Sequence, residues 1–218
     1  MPNWCFTQMI FHGDIEEIKD FHDKIEEWTS KNYRENDFGV NWLGNVLLGA
    51  GLGNRIDSGG DQLRCRGDIT YIGEIDTFQD STEATFNLDT ETAWCTMCLM
   101  WSEVIKTLGY KTVGFSYCAE EPGCEIYNIY DPYGEWDLQY RMDMYLGGQD
   151  FDNEDLLRIW DVQEYSCDET LRIALQALLK TDETDLKILI EAAENYKFAS
   201  DDSYLYVREY SQLDSVDY

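Results

Sequence analysis

The sequence predicts an α+β domain followed by a helical C-terminal extension. Hydrophobic residues make up 44% and aromatics 14% of the 218 positions, so a sizeable core can be built. Up to Tyr130 the apolar period switches between strand and helix in the order strand, helix, two strands, helix, strand, plus one extra strand. Beyond residue 149 the spacing is helical. The expected division is 1–148 for the α+β domain, with an insertion at about 39–67, and 149–218 for the acidic helical extension and tail.

Each element has its own signal. Trp4 to Phe11 is apolar and aromatic on both faces, which suits the middle of a sheet. Asp14 can cap a helix with Glu17 reaching back, and Ile15, Ile18, Phe21, Ile25 and Trp28 fall on one face of it. Eight of the 16 glycines lie between Gly39 and Gly67, around a short apolar helix near Trp42 to Leu48. Strands return at Asp68 to Ile75 and at Glu83 to Leu88, the second with one wet face. Thr90 or Thr92 can cap a second long helix, in which Trp94, Met97, Cys98, Trp101, Ile105 and Leu108 form the buried stripe and Gly109 the stop. Lys111 to Tyr117 and Glu125 to Tyr130 read as a hairpin, with Pro122 and Gly123 where a type II turn wants them. This order is the ferredoxin-like split βαβ pattern, with an insertion after helix one. In the extension, Leu156 to Trp160, Leu171 to Leu179 and Leu186 to Ala193 read as helices. Ser166 with Glu169 offers a capping box for the middle one.

Charge narrows the function. The chain has 16 Lys and Arg against 44 Asp and Glu, a net charge of −28. Disordered acidic chains lack aromatics, whereas this one has 7 Trp and 15 Tyr. Such a surface repels phosphates, which excludes direct nucleic-acid binding and disfavours anionic membranes. The expected partner is a basic protein. No basic leader precedes an apolar run, and no apolar run approaches the roughly 18 residues of a membrane span. Seven cysteines, an odd count, read as reduced thiols in a cytoplasm.

Five short blocks then occur in order: Met1-Pro2-Asn3-Trp4-Cys5, Trp42-Leu43-Gly44-Asn45, Cys65-Arg66-Gly67, Thr90-Glu91-Thr92-Ala93-Trp94, and Glu120-Glu121-Pro122-Gly123-Cys124-Glu125-Ile126-Tyr127. Together they resemble the YubB-like proteins with a ferredoxin-like domain, carried by plasmids, phages and other mobile elements. The resemblance covers residues 1 to 145. The family's Pro-rich start of helix two is replaced here by Cys95-Thr96-Met97-Cys98. It implies a fold and a mobile-element setting, and supplies no catalytic residue.

Candidate chemistry is sparse. Trp94-Cys95-Thr96-Met97-Cys98 looks like a thioredoxin dithiol, and a helix N-terminus would lower a thiol pKa. Yet Asp89 and Glu91 are near, no base lies between Arg66 and Lys106, and Cys98 falls on the buried stripe. Cys95 and Cys98 are therefore expected to pack, with a thiol-disulfide oxidoreductase as the alternative. Gly49-Ala50-Gly51-Leu52-Gly53 lacks the Lys-Ser/Thr of a phosphate loop. Asp150, Asp152 and Glu154 alternate as in a calcium loop, but Asp155 replaces the glycine. His12 and His22 have no partner at ligand or nucleophile spacing. No cofactor and no metal is expected.

The acidity is the best functional clue. Between Gly67 and Tyr140 there are 14 acids and two bases, and residues 150–218 carry 18 acids and six bases. One reading is a solvated surface that only keeps the chain in solution. The sharper one is a nucleic-acid mimic that blocks a basic host defence complex of the anti-restriction or anti-CRISPR type. Glu120, Glu121, Glu125 and Asp131 on the hairpin are the expected contacts, with Tyr127 and Tyr130 as aromatic anchors.

Overall fold

The computed structural model describes residues 3–30, 38–56, 62–77 and 81–216. The chain divides into two compact units: 1–135 with 212–218, and 136–211. The boundary therefore falls at Glu135, earlier than the expected 148. The C-terminal tail belongs to the first unit rather than to the extension.

In the first unit, β1 (Trp4–Asp14) runs the length of a seven-stranded sheet. It pairs antiparallel with β4 (Glu83–Ala93), from Trp4 opposite Ala93 to Asp14 opposite Glu83. On its other side lies β5 (Gly114–Glu121), with Phe6 opposite Glu120 and His12 opposite Gly114. Beyond β4 come β2 (Gly67–Ile72) and the short β3 (Asp76–Thr77). Beyond β5 comes β6 (Ile126–Tyr130), and then β10 (Ser211–Gln212), after which Leu213 N donates to Ile129 O at 2.8 Å. All pairings of β1 to β6 are antiparallel.

Two long helices cover one face. In α1 (Ile15–Ser30), Ile18, Phe21, Ile25 and Trp28 are buried, as their spacing predicts. Asp14 Oδ1 caps it through the amide of Glu16 at 3.0 Å. Glu17 does not reach back. Its carboxylate instead accepts from the amide and hydroxyl of Thr112, at 2.9 and 2.7 Å, and so fastens the helix start to the turn before β5. The short α2 (Leu43–Gly49) is buried on Leu43, Val46 and Leu47. The other long helix, α3, spans Cys98–Leu108, four or more residues later than the cap signals suggest. Thr90 and Thr92 are strand residues, because β4 stays paired with β1 as far as Ala93. Phe11 sits at the centre of the core, with the rings of Phe21, Phe86, Trp101 and Phe115 at centroid distances of 5.3, 5.0, 5.4 and 5.7 Å. Phe21 and Trp101 thus bring both long helices to one sheet face.

The hairpin exists, with a different turn. Pro122–Cys124 forms a 3₁₀ turn, and the left-handed residue is Glu125 at φ 56° rather than Gly123.

The second unit is not helical alone. A three-stranded antiparallel sheet, β8–β7–β9, joins β7 (Tyr140–Tyr145), β8 (Glu164–Tyr165) and β9 (Tyr204–Glu209). Its helices are α4 (Glu154–Val162), α5 (Asp168–Leu179) and α6 (Leu186–Glu194). Met142, Leu156, Leu171, Leu175, Leu189 and Leu205 form its core. Asn153 caps α4, accepting from Asp155 N at 3.0 Å. The capping box of α5 sits one residue later than expected, on Cys167 and Thr170. Among the described residues, no helix is long and apolar enough to cross a membrane.

Candidate functional site

With both helices on one side, the alternate residues of β1 face the other way. Cys5, Thr7, Met9 and Phe11 are buried, while Trp4 and Phe6 are 40% and 56% exposed. Phe6 lies opposite Glu91 on one side and Glu120 on the other, and Asp68 lies opposite Glu91. One row across β5, β1, β4 and β2 therefore reads Glu120, Phe6, Glu91, Asp68. The next row places Gln8 opposite Asp89 and Asp89 opposite Tyr71, which is 54% exposed. Like charges opposite one another cost stability in a sheet. Asp68 is exposed and Asp89 half-buried, and partial loss of water by the neighbouring strands holds both carboxyls above their usual pKa. None of β1 to β6 contains a Lys or Arg.

The hairpin residues expected to make the contact are mostly committed elsewhere. Glu121 is 2% exposed and accepts from the amide of Cys124. Tyr127 is buried, and Tyr130 is half-buried against Tyr117 and Phe115. Asp131 Oδ1 accepts from Ser116 Oγ at 2.8 Å and from the amides of Gly134 and Glu135 at 2.9 Å. Glu125 is exposed, and Glu120 is half-exposed on the outer face. The alternation from Glu83 to Leu88 marks a wet face of β4. Continued to Asp89 and Glu91, it points to the acidic row.

At one end of this face the strands open into a pocket of about 790 Å³, within the usual range for ligand sites. The rings of Trp4, Phe38, Trp42 and Trp94 wall it, with Arg64, Arg66 and one carboxylate, Asp68, beside them. Trp94 was expected in the helix core and is instead 50% exposed, because it precedes α3 in a left-handed conformation at φ 68°. Met97 caps α3, also left-handed, at φ 53°. The turn between them is pinned by Trp94 N donating to Asn3 O at 3.0 Å and Thr92 Oγ1 donating to Cys95 O at 2.6 Å. Gly44 lies under Trp42, whose ring would be 2.3 Å from an added Cβ. Residues from four of the five sequence blocks line this pocket: Trp4, Trp42, Cys65 to Gly67, and Trp94.

The other motifs resolve plainly. Cys98 is buried, and burial pushes its thiol pKa up, opposite to what a redox nucleophile needs. Cys95 is half-exposed, with Arg64 Nη1 at 3.8 Å from its sulfur. The Gly49 to Gly53 run ends α2 and leads only into a three-residue 3₁₀ turn, Gly53–Arg55, so it lacks the long helix N-terminus of a phosphate loop. Asp150 is buried and accepts from Ala199 N, Ser200 N and Ser203 Oγ at 2.8, 2.9 and 2.7 Å, which makes it a loop anchor and not a calcium ligand. His12 stacks on Tyr133 at 4.2 Å, and burial lowers its pKa. His22 Nε2 is 2.9 Å from Gly73 O, while its Nδ1 lies near the exposed Asp23 and Glu26, at 4.0 and 3.8 Å.

No family model matches the chain, and no curated protein or solved structure matches it.

Proposed function

We propose that the chain is a non-enzymatic acidic binding protein that docks on a basic protein through the outer face of its first sheet. The observation that carries this is the row Glu120, Phe6, Glu91, Asp68, an exposed aromatic set between carboxylates on strands that carry no base. A fold tolerates facing carboxylates where function needs them. A cationic partner would remove the repulsion, and Phe6 and Tyr71 would supply apolar anchors.

The partner we infer is a nucleic-acid-binding host complex in the cytoplasm, blocked by a surface that offers carboxylates where it expects phosphates. We place the chain with the YubB-like proteins of mobile elements, and its first unit with the ferredoxin-like folds. Strand order supports the fold reading: β5-β1-β4-β2 has β4 between β1 and β2, and the helices α1 and α3 fall after β1 and β4. The five sequence blocks support the family reading.

The test is capture of partners from a host lysate at low and moderate salt, with the wild type, Phe6→Ala and the pair Glu91→Lys with Asp68→Lys. A partner that DNA displaces, that salt weakens and that both variants lose supports the reading. A partner that binds both variants as well as wild type removes the outer face from the interface.

A further inference from the structure

We propose that the pocket at the end of the sheet binds a small ligand with a flat aromatic ring and an anionic group, of which a nucleoside monophosphate is the type. This goes beyond docking on the acidic face, with which the pocket shares Trp4 and Asp68, because it uses two arginines and a concave site.

The first support is electrostatic. In a chain with 44 acids and 16 bases, a cation is expected to find a carboxylate. Arg55 does, pairing with Glu103, and so do Arg141 with Glu164 and Arg172 with Glu169. Arg64 and Arg66 have no ion pair among the described residues, as is also true of Lys19, Arg158, Lys187 and Lys197, but these two lie together at the mouth of a pocket. Both are exposed at the pocket. Arg66 stacks on Trp94 with its guanidinium carbon 4.6 Å from the ring centroid, which leaves the guanidinium edge free to donate to an oxyanion.

The second support is the surplus of exposed aromatic surface. Trp4, Phe38 and Trp94 are 40%, 66% and 50% exposed within one concavity, and Phe38 stacks on Trp42 at 4.8 Å. The half-exposed rings of Trp4 and Trp94, beside the Phe38–Trp42 stack, offer a stacking platform for a planar ligand. Neither core packing nor a flat docking face needs this arrangement.

The third support is backbone strain. Trp94 and Met97 both hold left-handed conformations that β-carbon residues avoid, and both line the pocket. Strain of this kind collects at ligand clamps. Here it turns the Trp94 ring out of the helix core and under Arg66.

Phosphate and carboxylate both suit a guanidinium pair, so the assay has separate arms for them. Binding is read by tryptophan fluorescence and by calorimetry on the full chain. The probes are the four ribonucleoside monophosphates, the matching nucleosides and indole-3-acetate. Saturable binding of a monophosphate or of indole-3-acetate, weakened at least about tenfold when the anionic group is removed, is the expected result. The first probe would point to a nucleotide source and the second to an aryl carboxylate. Arg64→Gln with Arg66→Gln should cost about tenfold or more, and Trp94→Gly should remove stacking while easing the backbone. Circular dichroism checks that each variant folds. Folded protein that binds none of the anionic probes at about 1 mM overturns the proposal, as does binding that the arginine double variant leaves intact.

Discussion

Arg66 covers the indole of Trp94 at 4.6 Å, and Trp94 reaches that position only by adopting φ 68°. The left-handed conformation costs a non-glycine residue about 1–2 kcal/mol. The ring is half in water, so its packing returns little of this. Trp94→Gly is therefore expected to melt no lower than wild type. A thermal melt followed by circular dichroism decides it, and a markedly lower Tm would show that ring packing outweighs the backbone cost.

Gly49 lies against Trp28, whose ring atoms would be 2.4 Å from an added Cβ. Trp28 is only 5% exposed and sits on the inner stripe of α1, so it has little room to yield. Gly49→Ala should overpack the contact between α1 and α2 and destabilise by about 1–3 kcal/mol. Urea unfolding with an unchanged m-value would measure this directly. A neutral result would mean that Trp28 can shift without loss.

How far the sequence discloses this structure depends on how local each signal is. The stripe of α1 and the strand β1 are legible because their periods repeat over whole elements. The start of α3 is not, since Thr90 and Thr92 have good capping side chains but are held in β4 by pairing with β1. The strand β7 was open to reading: Tyr140, Met142 and Met144 are buried in alternation with Arg141, Asp143 and Tyr145. The pocket is the least legible feature. Trp4, Trp42, Arg66 and Trp94 are far apart in sequence, and a left-handed tryptophan has no sequence signature.

Glu17 holds the turn at Lys111 and Thr112 by accepting from both amides and from the Thr112 hydroxyl. The hydrogen bonds from Thr112 lower its pKa below the usual glutamate value. A carboxyl lowered by folding binds protons more readily in the unfolded chain. Its stabilisation is complete above the unfolded pKa, about 4.3, and disappears as pH falls through the folded value. Glu17→Gln should thus lower Tm at neutral pH and flatten the fall in stability below about pH 4.3. Parallel acid melts of the two proteins would show whether the curves converge.

Asp150 is the corresponding anchor of the second unit. Burial raises its pKa, but the hydroxyl of Ser203 and the amides of Ala199 and Ser200 more than offset this, and the net direction is down. Asp150→Asn keeps the size but loses the charge that strengthens three hydrogen bonds. The expected cost is about 1.5–3 kcal/mol, with faster amide exchange around Ala199 to Ser203. Exchange that is unchanged there would show that the loop is held by other contacts.

Asp68 and Asp89 behave in the opposite way. Partial loss of water raises both, and the strands around them hold no base to offset it. A carboxyl raised by folding contributes stability below its unfolded pKa and loses it as pH rises through the folded value. At neutral pH both are therefore destabilising, the more so with Glu91 opposite Asp68. Asp89→Asn should raise Tm at pH 7. Binding should respond in the reverse sense, because a cationic partner favours the ionised form. As pH falls from 7, these two acids protonate before ordinary exposed aspartates, which titrate near 3.9. Affinity for the basic partner should thus begin to fall above the ordinary carboxylate range. The double variant Asp68→Asn with Asp89→Asn should bind more weakly at pH 7 and lose that early part of the pH dependence. Isotherms at about pH 7, 6 and 5 test this with the DNA-displaceable partner or, in its place, a short arginine-rich peptide. If wild type and the double variant follow the same curve, the two aspartates lie outside the contact.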